Sequence, residues 1–142
     1  MLTFRPLTDQ FAVAPQIDPA DVPAIAAKGF KAIVNNRPDE EVPEALGGET
    51  VAKAARAAGL AYHAIPVGQQ GFAEPQVRAL RQAVAESAGP VLAYCRSGTR
   101  STYLWALAAA AEGEAFGSLQ ATARGAGYDL SPLRPVLERM AR

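Results

Sequence analysis

The stretch VLAYCRSGTRSTYL, residues 91–104, decides the fold. Four apolar residues lead into a short polar loop with one glycine, and an apolar run follows. The pattern predicts a buried strand, a tight loop and a helix packed back on the strand, the building block of a parallel sheet covered on both faces. Gly98 lets the loop turn so that successive peptide N–H groups converge, and the helix start adds its own free N–H groups and positive dipole end. The expected product is an anion cradle formed by Arg96, Ser97, Gly98 and Thr99. Cys95 stands at its rim with Arg96 and Arg100 alongside. Basic neighbours favour the thiolate, the form of cysteine that attacks electrophiles.

Working outward, proline and glycine divide the rest of the chain into a regular series of elements. TFRPL and QFAVAPQ flank a Thr8-Asp9-Gln10 turn and predict a short hairpin or a strand with a bent lead-in. Asp18 and Pro19 open a helix with an apolar stripe of Val22, Ile25 and Ala26, and Gly29 ends it. FKAIVNNR is a buried strand, TVAKAARAAG a small-residue helix and AYHAIPV another strand. Glu74 is placed to cap the helix opened by Pro75, whose Val77, Leu80 and Val84 share a face. After the cysteine loop come the apolar helix TYLWALAAAA and two further helical segments, the last with Ser131 as N-cap and Pro132 in its first turn. Strands alternating with helices give an α/β class and one domain over residues 1–142. Ligands of such sheets collect where strands end at their carboxyl ends, here at NNRPDEE, GQQGFAE and CRSGTRS.

Composition narrows the function. The 142 residues carry 14 basic and 14 acidic groups, so bulk charge implies neither a nucleic-acid nor an anionic-membrane surface. One cysteine and one histidine exclude an internal disulfide and a multi-cysteine zinc site, and point to a reducing compartment. His63 has no second ligand and reads as structural. The apolar run Tyr103–Ala111 is too short to cross a bilayer. The opening MLTFRPLTDQF lacks the basic start and apolar run of a secretory leader, and a cytoplasmic location is expected. No cofactor and no metal are expected, and nothing in the sequence fixes an oligomeric state.

AYCRSGTRS, preceded at these distances by VNNRPDEE and YHAIPV, resembles the bacterial phosphatase-like domain of beta-lactamase-hydrolase-like proteins, a branch of the dual-specificity, protein-tyrosine-phosphatase-like fold. The resemblance covers nearly the whole chain. It implies a three-layer arrangement, a four-stranded, mainly parallel sheet flanked by helices, with room for an extra N-terminal strand, and the cysteine loop as active site. Relatives of the domain also occur joined to metallo-β-lactamase-type persulfide dioxygenase domains, and some are described as sulfur transferases. Arg37 and Asp39 become rim residues of the pocket, joined by Gln69, Gln70 and Glu74 from the next strand end.

Two departures from the tyrosine-phosphatase pattern bear on the reaction. Those enzymes place the phosphate-binding arginine six positions after the cysteine. Here that position is Ser101, and Arg100 stands at five, as in the loop of single-domain rhodaneses. Phosphoester cleavage in the fold also uses an aspartic acid to protonate the leaving oxygen, worth typically about 10²- to 10⁴-fold. GQQGFAE contains no aspartate, and Glu74 is the candidate substitute. Sulfur transfer needs no such acid.

The leading expectation is therefore a sulfurtransferase that carries a sulfane sulfur on Cys95 as a persulfide. Arg100 and Arg96 would attract a small anionic donor such as thiosulfate, Ser101 would donate to the thiolate, and an external thiol acceptor would discharge the single cysteine. The enzymatic alternative is a phosphomonoester hydrolase working through a cysteinyl-phosphate on a phosphate ester. A third reading is a non-catalytic anion- or phosphoprotein-binding module.

Overall fold

The computed structural model describes residues 2–141. Its centre is a five-stranded sheet built from β1 (Arg5–Thr8), β2 (Phe11–Ala14), β3 (Ala32–Asn35), β4 (Ala61–Ala64) and β5 (Val91–Tyr94), in the order β1-β2-β5-β3-β4. The four strands β2 to β5 run parallel, and β1 returns antiparallel on β2 as the extra N-terminal strand. β2, β3 and β5 are buried along their whole length, which explains their unbroken apolar sequences.

Alternation along the strands sends side chains to two separate cores. Val13, Val34 and Ala93 face α3 (Glu74–Glu86), α4 (Thr99–Ala111), α5 (Phe116–Gly125) and α6 (Arg134–Met140), where Leu80, Leu104, Leu119 and Leu137 are buried. Ala14, Ile33, Leu92 and Tyr94 face α1 (Val22–Ala27) and α2 (Gly48–Ala57), packing with Ile25, Val51 and Ala55. α4 is apolar nearly all round because it lies between the sheet and α3 and α6, as a helix buried on several sides must.

Two local expectations are corrected. Ser131 opens a 3₁₀ turn, Ser131–Leu133, and α6 starts only at Arg134, with Pro135 in its first turn. Ser131 instead gives its amide and hydroxyl to Asp129. Glu74 is the first residue of α3 and not its cap; Ala73 precedes it, with its N–H held by the Gln76 side chain at 2.6 Å. The loop after β3 carries two 3₁₀ turns, Asp39–Glu41 and Glu44–Leu46.

Register fixes where the site lies. Tyr94 is level with Ala14 on one side and Asn35 on the other, and Asn35 is level with Ala64. All four parallel strands thus release their loops at one height, around the cysteine.

Candidate active site

Cys95 leaves β5 with only 1% of its surface exposed. The exit of β2 stitches the loop down: the Cys95 N–H donates to Ala14 O, and the Gln16 N–H donates to Arg96 O at 3.2 Å. The chain then turns through Gly98, whose φ of +90° lies in the left-handed region that favours glycine. This turn brings the Gly98 N–H to 3.1 Å from Cys95 Sγ. α4 begins at the next residue; the Thr99 N–H donates to Ser97 Oγ at 3.4 Å, and those of Arg100 and Ser101 have no intrahelical partner. Arg96 and Ser97 are exposed, and the Ser97 and Thr99 hydroxyls bond each other at 3.0 Å.

Arg100 is aimed by the protein. Its Nη1 donates to Glu41 Oε2 at 2.9 Å and to Val67 O at 2.8 Å, and its Nη2 donates to Glu41 Oε1 at 2.8 Å. A guanidinium has five N–H donors in a fixed plane. The three used here occupy its far end, which leaves Nε–H and the second Nη2 hydrogen on one shared edge for an anion. The bond to Glu41 is the largest influence raising Arg100 above the ordinary arginine value, and the charge of Cys95 adds to it. In return, Arg100 holds the Glu41 carboxyl below the usual glutamate value. Arg37 braces the same carboxylate at 3.2 Å and reaches Gln16 with Nη1.

Ser101 does not serve the sulfur. Its hydroxyl has one proton, and it donates that proton to Asn36 Oδ1 at 2.8 Å. Asn36, fully buried, donates in turn from its side chain to Ile65 O, receives the Val67 N–H on its carbonyl, and gives its own N–H to Tyr94 O. One asparagine thereby ties the ends of β3, β4 and β5 to α4.

The remaining rim residues separate. Gln69 and Gln70 line a cleft of about 790 Å³ together with Glu40 and Glu41, next to Arg100. Asp39 instead accepts the first N–H of α2, Gly48, at 2.8 Å, beside Asn35 and Tyr62. Glu74 points elsewhere, pairing with Arg78 at 3.6 Å along an apolar groove with Phe72 and Leu107. It is not placed to protonate a leaving group at Cys95. Sequence reasoning missed Asn36 as a site residue and Glu41 as the partner of Arg100. Its signal for Glu41 was the spacing Arg37/Glu41 in a strand-end loop, one helical turn apart. Among the described residues, no group of three or more His, Cys, Asp or Glu side chains is arranged to hold a metal ion.

The sequence model of the phosphatase-like domain of the beta-lactamase hydrolase-like protein matches residues 3–112. The chain belongs to this family. A beta-lactamase hydrolase-like protein of Agrobacterium fabrum is 38% identical over 95% of the chain, and one from Xylella fastidiosa strain 9a5c is 34% identical over the same share. The chain spans about a third of the length of these curated relatives, 32% in each case. Among solved structures, a phosphatase candidate from Neisseria meningitidis shares 34% identity and superposes with a TM-score of 0.81, covering 97% of both chains. The phosphatase-like fold is thus that of the family.

Proposed function

We propose that the protein is a cysteine-dependent phosphomonoester hydrolase of the phosphatase-like family, acting on esters whose leaving group departs without a proton from the enzyme. The observation that carries this reading is the bracing of Arg100 five residues after Cys95: Glu41 and Val67 hold three of its N–H donors, and the charge of Cys95 acts on it. Family membership and the Neisseria neighbour support the same reaction type.

Two edge donors of Arg100, the loop N–H groups and the start of α4 would bind the phosphoryl oxygens and take up charge as it grows in the transition state. The Cys95 thiolate attacks phosphorus, an S–P bond forms, and the P–O bond to the leaving group breaks with its electron pair going to that oxygen. Water then attacks phosphorus, the S–P bond breaks, and phosphate leaves with the thiolate restored. Glu41 is ionised and committed to Arg100, and Glu74 faces another groove, so neither supplies the leaving oxygen with a proton. The single cysteine calls for a reducing compartment such as the cytoplasm.

The test is a series of aryl phosphates of graded phenol acidity. The expected result is a kcat/KM that falls steeply as the phenol becomes less acidic, by about 10²-fold or more across the series, with Cys95→Ser inactive. A flat dependence would show that an acid does protonate the leaving group and would overturn the reading.

A second reading rests on the spacing. Arg100 follows Cys95 by five positions, one fewer than in tyrosine phosphatases, and this smaller loop suits a persulfide sulfur delivered by thiosulfate and removed by an external thiol. Turnover of thiosulfate exceeding that of every aryl phosphate would favour it.

A further inference from the structure

We propose that Tyr128 is a positioning residue that locks the Ser97–Gly98 peptide in the orientation that aims the Gly98 N–H at Cys95. The inference rests on the reading of Cys95 as the reactive thiol and holds for phosphoryl and sulfur transfer alike.

In a trans peptide the carbonyl and the N–H point in opposite directions, and no peptide bond among the described residues is cis. The Tyr128 hydroxyl donates to Ser97 O at 3.0 Å on one side of this peptide. On the other side the Gly98 N–H lies 3.1 Å from Cys95 Sγ. Holding the carbonyl therefore holds the N–H. Were the peptide to flip, the sulfur would face a carbonyl oxygen and lose a donor.

Gly98 fits this role for a second reason. A Cβ built on it would collide with the Tyr128 hydroxyl and come within 3.0 Å of Tyr128 Cζ, so the phenol packs directly on the glycine. Tyr128 is itself fixed. Its N–H closes the end of α5 on Ala123 O at 2.9 Å, and Arg5 of β1 covers its ring at 5.6 Å while donating to Ala126 O at 2.8 Å. Burial, aided by the charge of Cys95 and opposed by Arg5, raises the phenol above the ordinary tyrosine value, so it stays a donor. Tyr128 lies outside the 3–112 stretch matched by the family's sequence model.

The groups facing the sulfur are Arg100, backed by Glu41, and Tyr128, backed by Arg5. The experiment follows alkylation of the only thiol by iodoacetamide as a function of pH, using mass spectrometry, in the wild-type chain, Tyr128→Phe and Tyr103→Phe. Phenylalanine keeps the ring under Arg5 and removes only the hydroxyl. Tyr103 also donates to a backbone carbonyl, that of Asp129 at 3.2 Å, and controls for loss of a structural bond. The expected result is a Tyr128→Phe profile displaced to higher pH than the wild type, with an alkylation rate at pH 7 about tenfold lower, and an unshifted profile in Tyr103→Phe. A reactive wild-type thiol whose profile Tyr128→Phe leaves in place would overturn the lock alone. Equal shifts in both variants would overturn it too, since the effect would then be general loosening. A wild-type thiol that iodoacetamide leaves unmodified across the pH range would overturn the reactive-thiol reading together with the lock.

Discussion

Glu41 decides what Arg100 can do. A bidentate carboxylate grips one end of a planar guanidinium and leaves the opposite edge exposed in a fixed direction. Glu41→Gln keeps the shape but removes the charge and one acceptor oxygen. Its expected effect is a loss of about tenfold in kcat/KM for an aryl phosphate, measured by initial rates, with the fold intact by circular dichroism. The pH dependence has a defined sign. The folded-state value of Glu41 lies below its ordinary 4.5, so its contribution is fully present above 4.5 and is lost as pH falls through the lower folded value. Activity limited by the orientation of Arg100 should accordingly survive to below pH 4.5 and then collapse in the wild type, but show no such step in Glu41→Gln. Ser101 makes the opposite case. Ser101→Ala leaves the buried Asn36 oxygen without its donor and should cost about 1–3 kcal/mol in denaturant unfolding, while the alkylation profile of Cys95 stays in place.

At the scale of elements, the level ends of β2, β5, β3 and β4 make the site, and Asn36 keeps them level. Asn36→Ala strands Ser101 Oγ and Ile65 O inside the protein, two buried groups at about 1–3 kcal/mol each. Thermal melting should show a loss larger than that of Ser101→Ala. This part of the molecule also shows what a sequence discloses. The strands, the helices and the cysteine loop were legible because each is written locally, as an apolar run, a cap or a glycine. The bracing of Arg100 was not, since Glu41 and Val67 lie far from it along the chain and become its neighbours only when β3 has paired with both β4 and β5. Ser101 was assigned to the sulfur from its place in the motif, and the fold gave its proton to Asn36. Tyr128 carried no local signal, because its significance depends on where α5 ends.

For the whole molecule, the C-terminal helices belong to the core although they lie outside the family match. Leu119, Leu130 and Leu137 are buried there with 1% or less of their surface exposed, each worth about 1.5–3 kcal/mol. Against a typical total of about 5–15 kcal/mol, truncation after Glu112 should abolish cooperative unfolding, as seen in a thermal melt. The same truncation removes Tyr128 from the back of the cradle, so stability and reactivity depend on one segment. As proposed above, this cradle holds a phosphoryl group on Cys95 during turnover. The most direct measurement is intact-mass analysis of the protein quenched in acid during turnover of an acidic aryl phosphate, with thiosulfate run in parallel. The expected result is a phosphoryl adduct on Cys95, absent in Cys95→Ser, formed at a rate that exceeds any sulfur loading. A persulfide on Cys95 from thiosulfate with no phosphoryl adduct from the ester would contradict it.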